Sequence, residues 1–499
     1  MSFGPPSSTS SMYTQSTLAA DQSRARRRKR VLGGVAAGAA AVMCLGAGLI
    51  WYHSAGHTRG RTDAEAVKQA PDAVRDTAEK VPISPEGQVV VRHDEAKLTH
   101  QTRYAPGTWA TGEILARAVA DRIDGYRIGS QWDSDEAAWT LQLDGPVCAV
   151  SRDVTADGRT AVVVQPARAQ KSGKSGVCDE VLMVDLDTGK KLWQKTMPAA
   201  DFAYVTNTNI ALTEGVVAIA WDLGSVAYDM DSGKRLWNTT LATSQCHDGG
   251  YAGGRALLAL VRCGESANTT YRVEKLDPRT GKAVWQYPVS KGVQDVYLPS
   301  SDPPVLAVAA GDTLVTDLIT LDAKSGERLA TISMSKYQPD CDVGMYFGLV
   351  DKCYGMAVGR DRIFVRSKDD TDITKPENHI TAFDLRKGTA VARFDGRPFQ
   401  PVFPVRTNGD DLIMYRSTLD DVQPAAMVDW SPRTGKETPY LLFHLPENDA
   451  GALSDPDQAV VLYEQGHAFF ARRELTRDDV HPKDPVLSVI GVGTAGLKH

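Results

Sequence analysis

Cysteine is the residue type best placed to do chemistry in this 499-residue chain, which has seven. Cys148, Cys178, Cys246, Cys263, Cys341 and Cys353 lie in the body of the sequence, while Cys44 stands apart in an apolar run. No C-x-x-C occurs and no His has ligand spacing to a Cys pair, so zinc has no ligand set to start from. An even number of cysteines in a non-cytosolic domain points to disulfides. The ten His are scattered, and neither H-E-x-x-H nor G-x-S-x-G is present. Asp185/Asp187 and Asp229/Asp231 could offer oxygens to Ca²⁺. Each pair sits in a tight turn, however, where a carboxylate caps backbone N–H groups. SGKSG (Ser172 to Gly176) lacks the first Gly and the following helix of a phosphate loop, and reads as a polar loop. N-T-T at Asn238 and Asn268 matches a short glycosylation acceptor.

The elements that would position these residues form a repeat. VDLDTGKKLW (Val184 to Trp193), YDMDSGKRLW (Tyr228 to Trp237), KLDPRTGKAVW (Lys275 to Trp285) and LDAKSGERLA (Leu321 to Ala330) are good copies. FDLRKGTAVA (Phe383 to Ala392) and VDWSPRTGKE (Val428 to Glu437) are weaker. Their glycines, Gly189, Gly233, Gly281, Gly326, Gly388 and Gly435, are 44, 48, 45, 62 and 47 apart. Each copy reads as strand, tight turn, strand, with the Gly supplying positive φ. Short β-rich runs precede each copy, and no amphipathic helix intervenes. Four short strands per period describe a propeller blade. Trp193, Trp237 and Trp285, with Trp139 in a degenerate first copy, are expected to be largely buried on outer strands between blades. The last three strands, within Ala459 to Val492, lack a fourth, which QVVVRH (Gln88 to His93) can supply. The fold class is therefore all-β: a propeller of eight four-stranded antiparallel blades, with seven the alternative, preceded by one transmembrane helix.

The D-x-x-[TS]-G-K-x-x-W turn resembles that of the pyrroloquinoline-quinone-like (PQQ-like) propellers, over about Gln88 to Val492. YAPGTWATGEILARAV (Tyr104 to Val119) is similar to membrane-anchored actinobacterial members. The resemblance implies the fold shared by quinoprotein dehydrogenases, the outer-membrane assembly lipoprotein of Gram-negative bacteria and the sensor ectodomains of some bacterial Ser/Thr kinases. In dehydrogenases of the family it also implies a quinone held under a vicinal Cys-Cys disulfide, with Ca²⁺ beside a catalytic Asp. No vicinal pair exists here, so no catalytic or cofactor residue transfers and neither PQQ nor calcium is expected.

Val31 to Tyr52 holds 22 residues without a charge, about 33 Å of helix against a hydrocarbon core of roughly 30 Å. Six cations from Arg24 to Arg30 precede it, which places the N-terminus in the cytoplasm and the rest outside. Domain expectations are a basic cytoplasmic tail over 1–30, the span over 31–52, a stalk over 53–86 with a short helix in PDAVRDTAEK, and the propeller over 87–499. The net charge of −6 hides +5 on residues 1–30, leaving −11 on the rest. So acidic a body is a poor nucleic-acid binder.

In an up-and-down blade the starts of the first and third strands share a face with the ends of the second and fourth. All six body cysteines map to that face, opposite the D-x-x-T-G turns. The simplest pairing is sequential: Cys148–Cys178, Cys246–Cys263 and Cys341–Cys353. These readings predict a single-pass cell-membrane protein whose extracytoplasmic propeller is a non-enzymatic binding, scaffold or sensor module for an envelope or secreted protein. The alternative is a PQQ-dependent oxidoreductase.

Overall fold

The computed structural model describes residues 69–494, apart from 96–97, 99–101, 130–135, 168–175, 241–245, 265–267, 312–313, 342–349, 370–375, 420–422, 445–458, 478–479 and 482–483. Eight four-stranded antiparallel sheets form the blades. Blades 1 to 7 span 107–142, 147–196, 209–240, 246–288, 293–333, 356–395 and 402–443. Blade 8 takes three strands from 459–494 and its outermost strand, Gly87–Glu95, from the other end of the chain. That strand pairs with Val486–Thr494, Gly87 opposite Thr494 and Glu95 opposite Val486. The composite blade thus closes the ring and covers an edge that would otherwise stand open.

Within each blade we call the strands A to D from the axis outward. The A–B and C–D turns share one face, here the turn face; the B–C loops and inter-blade connections share the other, here the cystine face. B and C strands such as Val216–Ala220 and Ala425–Trp430 are buried along their whole length. D strands such as Lys190–Thr196 are exposed on one side and carry the charge. Between blades the sheets meet through Val, Ile, Leu and Met side chains, as in the cluster joining blades 2 and 3.

The repeat turns seat one blade on the next. All six repeat glycines have φ between +62° and +71°. In the same turns Asp185, Asp229, Asp277, Asp322 and Asp384 each accept backbone N–H groups through Oδ1. A Cβ built on Gly189, Gly233, Gly281 or Gly326 would come within 2.4 to 2.9 Å of Trp139, Trp193, Trp237 or Trp285 respectively. Each indole therefore lies flat on the turn glycine of the following blade. Three also donate Nε1–H to that turn: Trp193 to Met230 O at 2.8 Å, Trp237 to Pro278 O at 2.9 Å and Trp285 to Ala323 O at 3.1 Å. Only Trp285 is buried, at 7% exposure. Trp139, Trp193 and Trp237 are half-buried, less than the largely buried state expected, because they stand on the solvent-facing D strand.

Residues 69–86 correct the expected stalk. PDAVRDTAEK forms no helix; after a turn over 70–73 it crosses the A–B turns at the centre of the turn face. Ala70 O accepts from Ala73 N at 3.0 Å, and Ala73 O from Ala156 N at 2.8 Å. Side chains that could drive an amphipathic helix are used instead on surrounding turns. The tail over 1–30 and the span over 31–52 lie outside the described residues. No helix among the described residues is long and apolar enough to cross a membrane.

Glycine contacts give a direct test. Gly281→Ala combines a left-handed backbone, φ +69°, with a Cβ 2.8 Å from Trp237, whereas Gly435→Ala, φ +71°, meets nothing within 4 Å. Urea unfolding should show Gly435→Ala losing about 1–2 kcal/mol for the backbone alone. Gly281→Ala should lose about 1–3 kcal/mol more, for forced repacking. Equal losses would mean the indole seat is not a stabilising contact.

Candidate functional site

A strands from six blades line a central channel that encloses a cavity of about 340 Å³. Its centre is built from residues just beyond strand ends. Arg152 follows the buried strand Val147–Val150, and its Nη1 donates to Pro299 O at 3.3 Å and to Asp351 O. It thereby spans the channel from blade 2 to the blade 5–6 connection. Its Nε lies 3.6 Å from Asp153 Oδ1. Trp109 Nε1 donates to Ser151 O at 2.8 Å, which fixes the start of this segment against blade 1.

The blade 5–6 connection reaches into the channel from the cystine face. Val350 O accepts from Leu298 N at 2.8 Å, and Val350 fills the space beside Gly250. Arg473 lies over the Tyr354 ring at 3.9 Å from its centroid, a cation–π contact between this connection and blade 8. Burial raises the Asp351 carboxyl to about 6, although Arg152 and Lys352 pull it down. Asp153 is also raised, mainly by burial against the pull of Arg152. Arg152 and Lys352 line the cavity among apolar residues, and the carboxyls of Asp153 and Asp351 lie buried behind them as compensating charge. Such a lining can hydrogen-bond a polar ligand; it contains no histidine to act as a base at neutral pH.

At the turn face residues 69–79, here the strap, lie across the mouth of the channel. Arg75 Nη1 donates to Ala110 O at 3.0 Å and sits 3.7 Å from Glu464. Asp76 pairs with Arg255 at 3.2 Å, and Glu79 pairs with Arg406. A second cavity of about 190 Å³ lies directly beneath Val74 and Arg75.

The cysteines are paired sequentially: Cys148–Cys178, Cys246–Cys263 and Cys341–Cys353, with Cα separations of 6.0, 4.0 and 4.1 Å. All three lie at the cystine face. Cys353 also lines the channel, but it bonds to Cys341 across a short ladder. It therefore does not form the vicinal cystine platform of a quinone clamp. Among the described residues, no group of three or more His, Cys, Asp or Glu is placed to hold a metal ion. Asp185 and Asp229 cap their turns, and hydrogen bonds from Ser232 hold the Asp229 carboxyl down to about 2. SGKSG lies almost wholly outside the described residues. Sequence reasoning passed over Arg152, Asp153, Asp351 and Lys352. The available signals were weak: charged pairs placed directly after VCAVS and beside Cys353.

The family described as outer membrane protein assembly factor BamB matches residues 86–250 and 269–471. The chain belongs to this PQQ-repeat propeller family. BamB from Moraxella catarrhalis is 12% identical, with 77% of this chain and 95% of that chain covered and a TM-score of 0.41. Quinohemoprotein alcohol dehydrogenase from Comamonas testosteroni is 12% identical over 83% of this chain and 77% of that one, at 0.45. A europium-containing methanol dehydrogenase is 12% identical over 81% and 96%, at 0.39. These structures share the propeller fold with the chain. No curated protein matches it.

Two buried acids predict a pH dependence. Asp351, beside the channel, and Asp429, on the third strand of blade 7, are each raised to about 6, chiefly by burial. A raised native value means the folded state holds the proton more tightly. Their contribution to stability is therefore complete below the unfolded carboxylate range near 4 and is lost as pH rises through about 6. Asp351→Asn should gain stability relative to the parent as urea unfolding is moved from pH 4.5 to 7. A difference independent of pH would refute the assignment.

Proposed function

We propose that this is a membrane-anchored, extracytoplasmic propeller that acts as a non-enzymatic binding scaffold or sensor for an envelope or secreted protein. One observation carries the reading: all three disulfides brace segments of a single face. In the chain-entropy account each cross-link of this loop size contributes about 3–4 kcal/mol. A cystine persists in an oxidising compartment, in keeping with the charge asymmetry around 31–52. Loops held rigid before docking lose less entropy on binding, and loops on a rigid scaffold are where binding usually resides.

The same face carries a cleft of about 520 Å³ lined by Lys336, Lys368, His379 and Arg393 together with the acids Glu377 and Asp395. Both lysines are exposed. Arg393 pairs with Asp395, which leaves the two lysines against Glu377, a small cationic excess in an otherwise acidic body that suits carboxylates on a partner surface. In-envelope crosslinking followed by mass spectrometry should recover one predominant partner. Lys336→Glu with Lys368→Glu should reduce that crosslink at least fivefold, while Lys190→Glu with Lys234→Glu on the turn face should leave it unchanged. The reverse pattern would assign partner binding to the turn face. Proteolysis of intact spheroplasts should degrade the chain beyond about Ser54 and protect the basic tail; a mature protein beginning near Ala55 would refute the anchor.

A further inference from the structure

We propose that the turn-face mouth of the channel is a receptor for an extended, carboxylate-bearing peptide segment, and that residues 71–79 are its built-in occupant. This is a second binding surface, opposite the cystine face, and it does not depend on membrane anchoring.

The receptor is built around Glu79. Gln465 and Gly466 occupy the A–B turn of blade 8 with φ of +48° and +77°. Consecutive left-handed residues aim their N–H groups into one concavity, an arrangement that binds anions. Those groups donate to Glu79 Oε1 at 2.8 Å and Oε2 at 3.0 Å. The Arg406 guanidinium completes the pocket, and the Glu79 side chain keeps 3% of its exposure. Asn408 Oδ1 accepts the Glu79 backbone N–H at 3.0 Å.

Three residues earlier, Asp76 meets a second cationic position. Its Oδ2 lies 3.2 Å from Arg255 Nη1 and 4.0 Å from Arg360 Nη2. Between these points the mouth supplies the opposite charge: Glu464 takes Arg75 at 3.7 Å and the Thr77 hydroxyl. The backbone is held as an added strand would be. Val74 bridges Thr155, with Arg75 N donating to Val154 O at 2.8 Å and Ala156 N to Ala73 O at 2.8 Å. Main-chain pairing for affinity and side-chain pockets for selectivity is how sheets and turns capture extended peptides. The matching ligand is an acidic peptide segment with a cation followed by two carboxylates three residues apart.

The occupant has the features of a removable one. Val74 is the strap residue packed into a hydrophobic cluster. Beyond the Glu79 pocket, Val81 and Ile83 stand 62% and 84% exposed. Segments with few buried apolar contacts open at the low end of the local stability range. As a tethered ligand the strap acts at an effective concentration in the mM range, so a free peptide competes poorly until the strap is weakened.

The test uses full-length protein and a fluorescein-labelled synthetic peptide, PDAVRDTAEK, read by anisotropy. Asp76→Asn with Glu79→Gln weakens the strap and should tighten peptide binding at least tenfold over the parent. A peptide with those two carboxylates replaced by amides should bind at least tenfold more weakly than the unmodified one. Val74→Cys with Thr155→Cys, oxidised, should lock the strap and abolish binding. Hydrogen exchange over 87–95 should stay protected in every variant. Equal binding by the amide peptide, no gain in the weakened variant, or loss of protection in Gly87–Glu95 would each overturn the proposal, the last by making the strap part of the fold.

Discussion

An indole laid on a bare backbone turn is the contact around which the first five blades are organised. It needs three things at once: a residue with no Cβ, a turn that holds that residue at positive φ, and a tryptophan on the outer strand of the previous blade. The capping aspartates supply the second by fixing the turn backbone. Because each blade donates its indole forward and offers its glycine backward, the angle between neighbours repeats, and repeated rotation closes a ring. The channel, its confined charges and the two faces with different chemistry all follow from that repetition.

The later seams reach the same spacing by other means. Where the tryptophan position becomes Ala330, Gly388 packs against Ala330 and Ile332. Where it becomes Ala392, Phe394 and Phe364 meet Trp430 of blade 7 with ring centroids 5.5 and 6.1 Å apart. Between blades 7 and 8, Tyr415 and Phe443 pack against Phe470. The seam between blades 8 and 1 adds polar contacts to an apolar cluster that includes Leu115, Phe469 and Val489. His93 stacks on Tyr126 at 4.5 Å, and Arg122 donates to Glu95 at 2.6 Å. His93 is the main cause holding the Glu95 carboxyl below its ordinary value, aided by Arg122. Arg117, fully buried, donates to Arg472 O and Ser488 O, and burial pulls its guanidinium down to about 10. Hydrogen bonds specify geometry more sharply than apolar contact does, which suits the one seam where distant parts of the chain must find register.

The fold was legible in the sequence because the repeat writes it six times, and even the composite blade was recoverable from a missing fourth strand. The cystine pairs were legible because blade topology restricts which chain ends share a face. The strap was not. PDAVRDTAEK has sound helix composition, and nothing local reveals that Glu79 will find two N–H groups on the turn at Gln465 or that Val74 will bridge Thr155. Long-range partners override local propensity there. The channel residues were obscured for a related reason: Arg152 and Asp351 come together only when the ring is complete, and no spacing encodes their meeting.

Gly87–Glu95 carries a consequence for biosynthesis. It is among the first parts of the propeller to emerge from the ribosome, yet its hydrogen-bonding partner, Val486–Thr494, is among the last. Earlier blades can form locally as they are made, but the ring stays an open arc with two unsatisfied edges until Val486–Thr494 has been made. Open strand edges are aggregation-prone, and pairing the two ends is the longest-range contact the chain must make, which slows folding. The nascent arc is therefore exposed to its surroundings until Val486–Thr494 has been made, and any factor that shields those edges must remain until that strand arrives.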